Sequence, residues 1–247
     1  MLFDKGGIVT SSDWKAVHAA YVRAIQRIEH PAGAGKLTLR RKKYEKESKQ
    51  WDRNGVSPLK TQFFRSMVGD EGWQAEAQFD IARLSEAPEI RLYPCLDSYR
   101  EPVTSEFGHF DFVTTAPSGT HVAIEWETGN ISSSHRSLNK LAIALGAGKI
   151  HAGVLILPSR DLYEHLTDRI GNIGELSPYL AMWSGLASTV ERGLLALTVV
   201  EHDELTDDEA ISYLKSGKDG RSREGKRKRK TASRKNVQKM AAKKVPI

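Results

Sequence analysis

At 247 residues, 39% hydrophobic, with five Trp and a single cysteine, the chain can bury a sizeable core but cannot form an internal disulfide or a cysteine-built zinc cluster. No run approaches the roughly 20 apolar residues of a membrane helix, and the start MLFDKGGIVTSSDWK has no basic stretch leading into an apolar one, so a soluble, cytoplasmic protein in a reducing compartment is expected. The net charge of +6 is divided unevenly: residues 215–247 carry fourteen Lys/Arg against Asp219 and Glu224, leaving −6 on residues 1–214, so nucleic acid would have to be met by local basic clusters and the tail.

In chain order, Trp14, Val17, Ala20, Tyr21, Ile25 and Ile28 recur at helical spacing behind the capping residues Ser11, Ser12 and Asp13, which predicts an amphipathic helix over Ser12 to Ile28. The next stretch, KLTLRRKKYEKESKQWDRNG, is strongly basic and reads either as a helix lying over DNA or as a solvated face. Asn54-Gly55 marks a turn, and Leu59, Phe63, Phe64 and Met67 then form the buried stripe of a second helix, closed by GDEGW. Short β-prone segments follow: AEAQFDIARL, EIRLYP, HFDFVTT and HVAIEWET. A helix over Ser132 to Leu145, the apolar strand GVLILP, a helix from Ser159 with Leu162, Leu166 and Ile170, and the strand GLLALTVVE complete the pattern, before a weak helix after Val200.

Alternating strands and helices predict an α/β fold, a central mixed β-sheet flanked by helices. Three regions are expected: an N-terminal helical and basic segment (1–53) packed on the core, the core itself (54–214), and a basic tail (215–247) that is disordered in isolation.

The chemistry concentrates in two strands joined by APSG. Asp111 interrupts an apolar run (Phe110, Phe112, Val113), where a lone carboxylate is costly. On the next strand Glu125 and Glu127 are two residues apart, so the pleat sets them on one face and Ile124 and Trp126 on the other. Three carboxylates so gathered raise one another's pKa values, and a divalent cation relieves the conflict. Oxygen donors without thiolate favour Mg²⁺, which lowers the pKa of an attacking water and stabilises a leaving oxygen in phosphodiester hydrolysis. The plainer alternative is that the Glu-x-Glu pair is a solvated surface feature supporting the strand.

FDFV, a short turn, IEWETGN and the polar-rich helix SSSHRSLNKLAIAL together resemble the PD-(D/E)xK nuclease core, and within it the BamHI/BglII group of type II restriction endonucleases. The upstream stretch GVSPLKTQFFRSMVGDEGWQAEA is similar to a segment that precedes the core in that group. The resemblance covers about Ser57 to Val200. It implies Asp111 and Glu125 as metal ligands with the Trp126 carbonyl, Glu127 in the usual lysine position orienting or deprotonating the attacking water, and a further acid from an upstream element. Glu76 is the candidate for that acid, with Glu71 and Glu106 as competitors. A proline before Asp111 is missing; Phe110 stands there.

On the helix beyond the motif, Ser132, Ser133, Ser134, His135, Arg136, Asn139 and Lys140 offer phosphate and base-edge contacts, and Arg136 or Lys140 is expected near DNA. His109 and His121 could approach Asp111 if the hairpin register allows, or serve only as structural polar residues. No HExxH, paired Cys/His cluster or phosphate-binding glycine loop is present. The KRKRK tail has three readings: non-specific DNA attraction, a localisation-like signal, or an extension without a role. The expected activity is Mg²⁺-dependent, sequence-specific hydrolysis of double-stranded DNA by a homodimer, with no membrane association. The alternatives are a repair or transposition nuclease and a catalytically silent DNA-binding module.

Overall fold

The computed structural model describes residues 1–77, 108–167 and 170–215, together with two short strands, β6 (Ile90–Arg91) and β7 (Ser98–Tyr99), which pair with each other. Glu106, Cys95 and residues 216–247 lie outside the described residues. Before β6 come β1 (Phe3–Lys5), α1 (Ser12–Gln26), β2 (Thr38–Arg40), β3 (Lys43–Glu45), β4 (Gln50–Asp52), α2 (Ser57–Arg65) and β5 (Gln74–Ala77). After β7 come β8 (Phe110–Thr115), β9 (His121–Trp126), α3 (Ile131–Gly146), β10 (Ala152–Pro158), α4 (Arg160–Glu164), α5 (Ile173–Leu176), α6 (Leu180–Gly185), β11 (Gly193–Val200) and β12 (Glu204–Thr206).

The central sheet has six strands in the order β5-β8-β9-β10-β11-β1. β9, β10 and β11 run parallel, while β8, β5 and β1 join antiparallel, so the sheet is mixed and the fold α/β as the alternating pattern predicts. Alternation along the strands sorts the core into two layers. Phe112, Ile124, Trp126, Val154 and Ile156 pack against α1 and α2 through Trp14, Tyr21, Leu59 and Phe63. Val113, Ala123, Leu155, Leu157 and Leu195 pack against α3 and α6 through Leu138, Leu141, Leu145 and Trp183.

α2 is seated on the β8–β9 hairpin by one ring. Phe63 meets Phe112 edge-on at 5.2 Å and Trp126 at 4.6 Å between centroids, a close aromatic arrangement worth about 0.5–1.5 kcal/mol beyond simple burial. Lys60, one turn earlier, is thereby carried to the edge of the same hairpin.

Three expectations need correction. The basic stretch after Gly35 is not helical: β2 pairs in parallel with β12, and β3 and β4 form a hairpin with Tyr44 opposite Trp51. Its charges are met by acids distant in sequence, Arg40 by Glu209, Lys42 by Glu164 and Lys36 by Glu204. The segment after Val200, expected as a weak helix, supplies β12 instead, because Leu37 and Thr38 offer it a strand partner. The helix from Ser159 ends at Glu164, since Asn54 bridges to Leu166 and binds the His165 carbonyl, drawing the backbone out of helical pairing. β1, a three-residue edge strand, carried no periodic signal long enough to predict it.

Candidate active site

The hairpin register sets Phe112 opposite Ile124; one step further along, Asp111 faces Glu125 at the end where the ladder opens. There the Asp111 side chain replaces a strand partner: its Oδ2 accepts from the Trp126 amide at 2.8 Å. Its Oδ1 accepts from Lys60 Nζ of α2 at 2.9 Å. Asp111 is thus fixed at two points, by strand backbone on one side and by a helix on the other.

Glu125 and Glu127 are 6% and 4% exposed, so the solvated-surface alternative for the pair does not hold. Glu125 Oε1 forms an ion pair with Lys140 of α3, whose Nζ also donates to the His109 carbonyl at 2.7 Å and lies 4.7 Å from the Phe110 ring centre. Burial pushes Glu125 up to about 7; Lys140 opposes that shift, Asp111 adds to it, and Lys60 opposes it weakly. Glu127 is also raised, again chiefly by burial, with the Gly129 amide opposing and Asp111 reinforcing. Both glutamates therefore feel Asp111, and the three acids form one electrostatic unit.

Glu127 stands just past β9, where its amide donates to the Ile156 carbonyl at 2.8 Å and its Oε1 accepts from the Gly129 amide at 2.5 Å. Its other oxygen, Oε2, is fully buried without a hydrogen-bond partner among the described residues. The Ser134 hydroxyl lies near enough to favour the ionised form but is not aligned to donate. α3 is launched from this point by Asn130, whose side chain accepts from the Ser133 amide. Gly171 makes the close packing possible: it donates to the Gly129 carbonyl at 2.9 Å, and a Cβ there would strike the Ser134 hydroxyl.

Part of the relief of like-charge crowding comes from within the protein. Two ammonium groups, Lys60 and Lys140, neutralise Asp111 and Glu125 from opposite sides of the sheet. Among the described residues no three His, Cys, Asp or Glu side chains stand together as a ready metal cage. The donor set nevertheless suits a hard cation. It is made of carboxylate oxygens, one of them buried and unpartnered, and such an atom in a folded protein calls for an ion or water.

Glu76 lies exposed on β5 with φ near 50°, between Ala75 opposite Phe112 and Ala77 opposite Phe110, a place level with Asp111 in register at which the ladder itself makes no pair. A non-glycine residue rarely adopts that left-handed conformation. Its competitor Glu71 is turned elsewhere, gripped by Arg23 and Arg27 of the α1 end. On α3, Ser132, Arg136 and Asn139 are exposed and Ser133 partly so, with Asn139 accepting from Trp183 Nε1 at 3.0 Å. Ser134 and Lys140, grouped with them for DNA contact, instead point inward against the carboxylates. His135 packs against Tyr179 and Trp183. His121 sits at the other end of the hairpin beside Thr115, remote from Asp111. Lys60 was not singled out by sequence, since a lysine on an amphipathic helix ordinarily marks its solvated side.

The sequence matches the family model described as restriction endonuclease BamHI over residues 1–221. The chain belongs to the BamHI restriction endonuclease family. It is 38% identical over 169 residues to the type II restriction enzyme OkrAI of Oceanobacter kriegii, covering 68% of this chain and 74% of the relative. It is 34% identical over 132 residues to the type II restriction enzyme BamHI of Bacillus amyloliquefaciens, covering 53% of this chain and 55% of that protein. Family membership makes it a DNA endonuclease that hydrolyses phosphodiester bonds at specific sequences, and enzymes of this kind need a divalent metal. The BamHI-family assignment extends the likeness from the core into the N-terminal strands and α1, well beyond the Ser57 to Val200 span in which the motif is found. Among the described residues no helix is long and apolar enough to cross a membrane.

Proposed function

We propose that this chain is a Mg²⁺-dependent type II restriction endonuclease that acts as a homodimer on double-stranded DNA, with Asp111, Glu125, Glu127 and Glu76 as its catalytic acids. The observation that carries the assignment is the buried Glu127 carboxylate with an unpartnered oxygen, in electrostatic contact with Asp111. Asp111 and Glu125 would hold the cation together with the Trp126 carbonyl, and Glu76 completes the set from β5. When bound, Mg²⁺ supplies a lowered pKa for the attacking water and charge stabilisation for the leaving 3′ oxygen.

The protein's own groups do the rest. Glu127, tethered through Oε1 to Gly129, keeps Oε2 for the water whose proton it accepts. Lys140 holds Glu125 in place from within the fold. On α3, the exposed Arg136 and Asn139 and the half-buried Ser133 would meet phosphate and base edges, with arginine suited to guanine. A two-fold pair of sites would cut both strands of a palindrome, leaving 5′-phosphate and 3′-hydroxyl ends.

Purified protein with Mg²⁺ should convert unmethylated plasmid DNA of known sequence into discrete fragments, and the fragment ends map the recognition site. Asp111→Ala and Glu125→Ala should still bind the mapped duplex without cutting it, and sedimentation of the free protein should report a dimer. A smear of products, or cutting that survives both substitutions, defeats the assignment.

A further inference from the structure

Two lysines neutralise the acidic cluster, and they are built differently. Lys140 is locked: 9% exposed, paired with Glu125, bonded to the His109 carbonyl and laid over Phe110. The Lys60 side chain is 32% exposed, and its ammonium contacts Asp111 at the border of a surface hollow lined by Ser57, Thr61, Phe64 and Thr128. A lysine ammonium on a flexible four-carbon stem can exchange one anion for another without moving its helix.

The formal charges indicate which anion. With every group ionised, Asp111, Glu125, Glu127 and Glu76 carry −4 and the two lysines +2, a balance of −2. One divalent cation brings that to zero, and one phosphodiester then leaves −1, so the arriving phosphate needs an ammonium of its own. Cation and phosphate are therefore accommodated together, provided that one ammonium leaves its carboxylate for the phosphate. Only the more exposed of the two has room to do so. No lysine stands on β8 or β9, and Lys60 brings its ammonium to Asp111 from α2.

We propose that Lys60 is a phosphate-binding residue of the cleavage reaction, transferring its ammonium from Asp111 to a non-bridging oxygen of the scissile phosphate when Asp111 turns to a divalent cation. The inference rests on the nuclease reading above and assigns Lys60 a role within that site.

The test uses full-length wild type, Lys60→Met and Lys60→Arg, with Ca²⁺ as the probe cation and a short duplex carrying the mapped cleavage site. Free Lys60→Met should bind Ca²⁺ a few-fold more tightly than wild type, because the competing ammonium is gone; an exposed ion pair is worth about that much. In Ca²⁺, the log–log salt dependence of its DNA binding should become shallower by roughly 0.9 per active site, the signature of one lost phosphate contact. Lys60→Arg should restore the wild-type slope. A lysine that merely supports α2 would lower thermal stability in Lys60→Met and leave both readouts unchanged, and that result overturns the proposal. If wild type itself shows no metal-dependent cleavage, the nuclease reading fails and this inference with it; if wild type cuts while the Lys60→Met slope equals that of wild type, only the Lys60 assignment fails.

Discussion

Along β10 every residue from Ala152 to Pro158 is buried and apolar, with strands on both sides, whereas the adjoining end of β9 buries two glutamates beside an aspartate of β8. Both regions lie in the same sheet, and Glu125 and Glu127 are nearly as shielded from water as β10 is. In the first, local propensity, burial and pairing agree, as they do wherever a sequence has only to fold. In the second, burial conflicts with charge, and the conflict is contained by Lys60, Lys140 and the Trp126 and Gly129 amides. Among the described residues the sheet accepts such a cost at this place, and that is the place to which the proposed chemistry is assigned.

The sharpest way to break this comparison is to remove charge from one region and bulk from the other. Asp111→Ala should reduce cleavage well beyond the 10–100-fold loss that is typical of a residue merely supporting a ligand, with only a small change in thermal stability, because relief of its repulsion with Glu125 and Glu127 offsets the acceptor that the Trp126 amide loses. Leu155→Ala, in the apolar region, should cost about 2–5 kcal/mol of stability while the protein that remains folded keeps its kcat. Equal damage to folding and to turnover from both substitutions would erase the distinction between the regions; denaturant titration alongside single-turnover cleavage reads it directly.

The next effect in size is pH dependence. Burial holds Glu125 at about 7, above an ordinary glutamate value of 4.5. Between those values the native protein keeps a proton that the unfolded chain releases, so the stability of the metal-free protein declines as pH rises through that window. A cation needs the ionised form, so its affinity should run the other way, falling up to about tenfold per unit below pH 7 and levelling off above it. Calorimetric Ca²⁺ titrations at pH 6 and pH 8 in buffers of different ionisation heat should show proton release at the lower pH only; equal affinity at both would contradict it.

The smallest effect concerns Glu76. Relief of its left-handed backbone, about 1–2 kcal/mol, is partly offset by the greater freedom of glycine in the unfolded chain, about 0.4–1 kcal/mol. Glu76→Gly should therefore leave stability unchanged or raise it by up to about 1 kcal/mol, while cleavage falls. Undiminished cleavage would remove Glu76 from the catalytic acids.

What could be foreseen from sequence follows the same division. β8, β9, α3, β10 and β11 are legible because each repeats one periodicity for six or more residues. β2, β3, β4 and β12 are three residues each and exist through pairings that local pattern does not encode: Leu39 meets Leu205 only after the chain has circled the sheet. Asp111, Glu125 and Glu127 stood out as acids interrupting apolar strands. Their lysine partners are not legible as such: Lys60 gives no signal and Lys140 reads as a DNA contact, because both occupy helix positions that in isolation serve solvent as well, and only tertiary packing brings them to the acids. The left-handed turn at Glu76 had no sequence signal either, since no glycine or asparagine announces it.

Asn54 has a consequence for how the chain ends. Its fully buried amide donates to the carbonyls of Arg40 and His165, accepts from the Leu214 amide, and is joined by the Gly55-to-Leu214 backbone bond. One side chain, three positions before the helix that carries Lys60, thus rivets an early strand, a mid-chain turn and the last described residues. Shortening the chain after Lys215 leaves this joint whole, whereas shortening it ahead of Leu214 strips a buried amide of its partner and loosens the mounting of that helix.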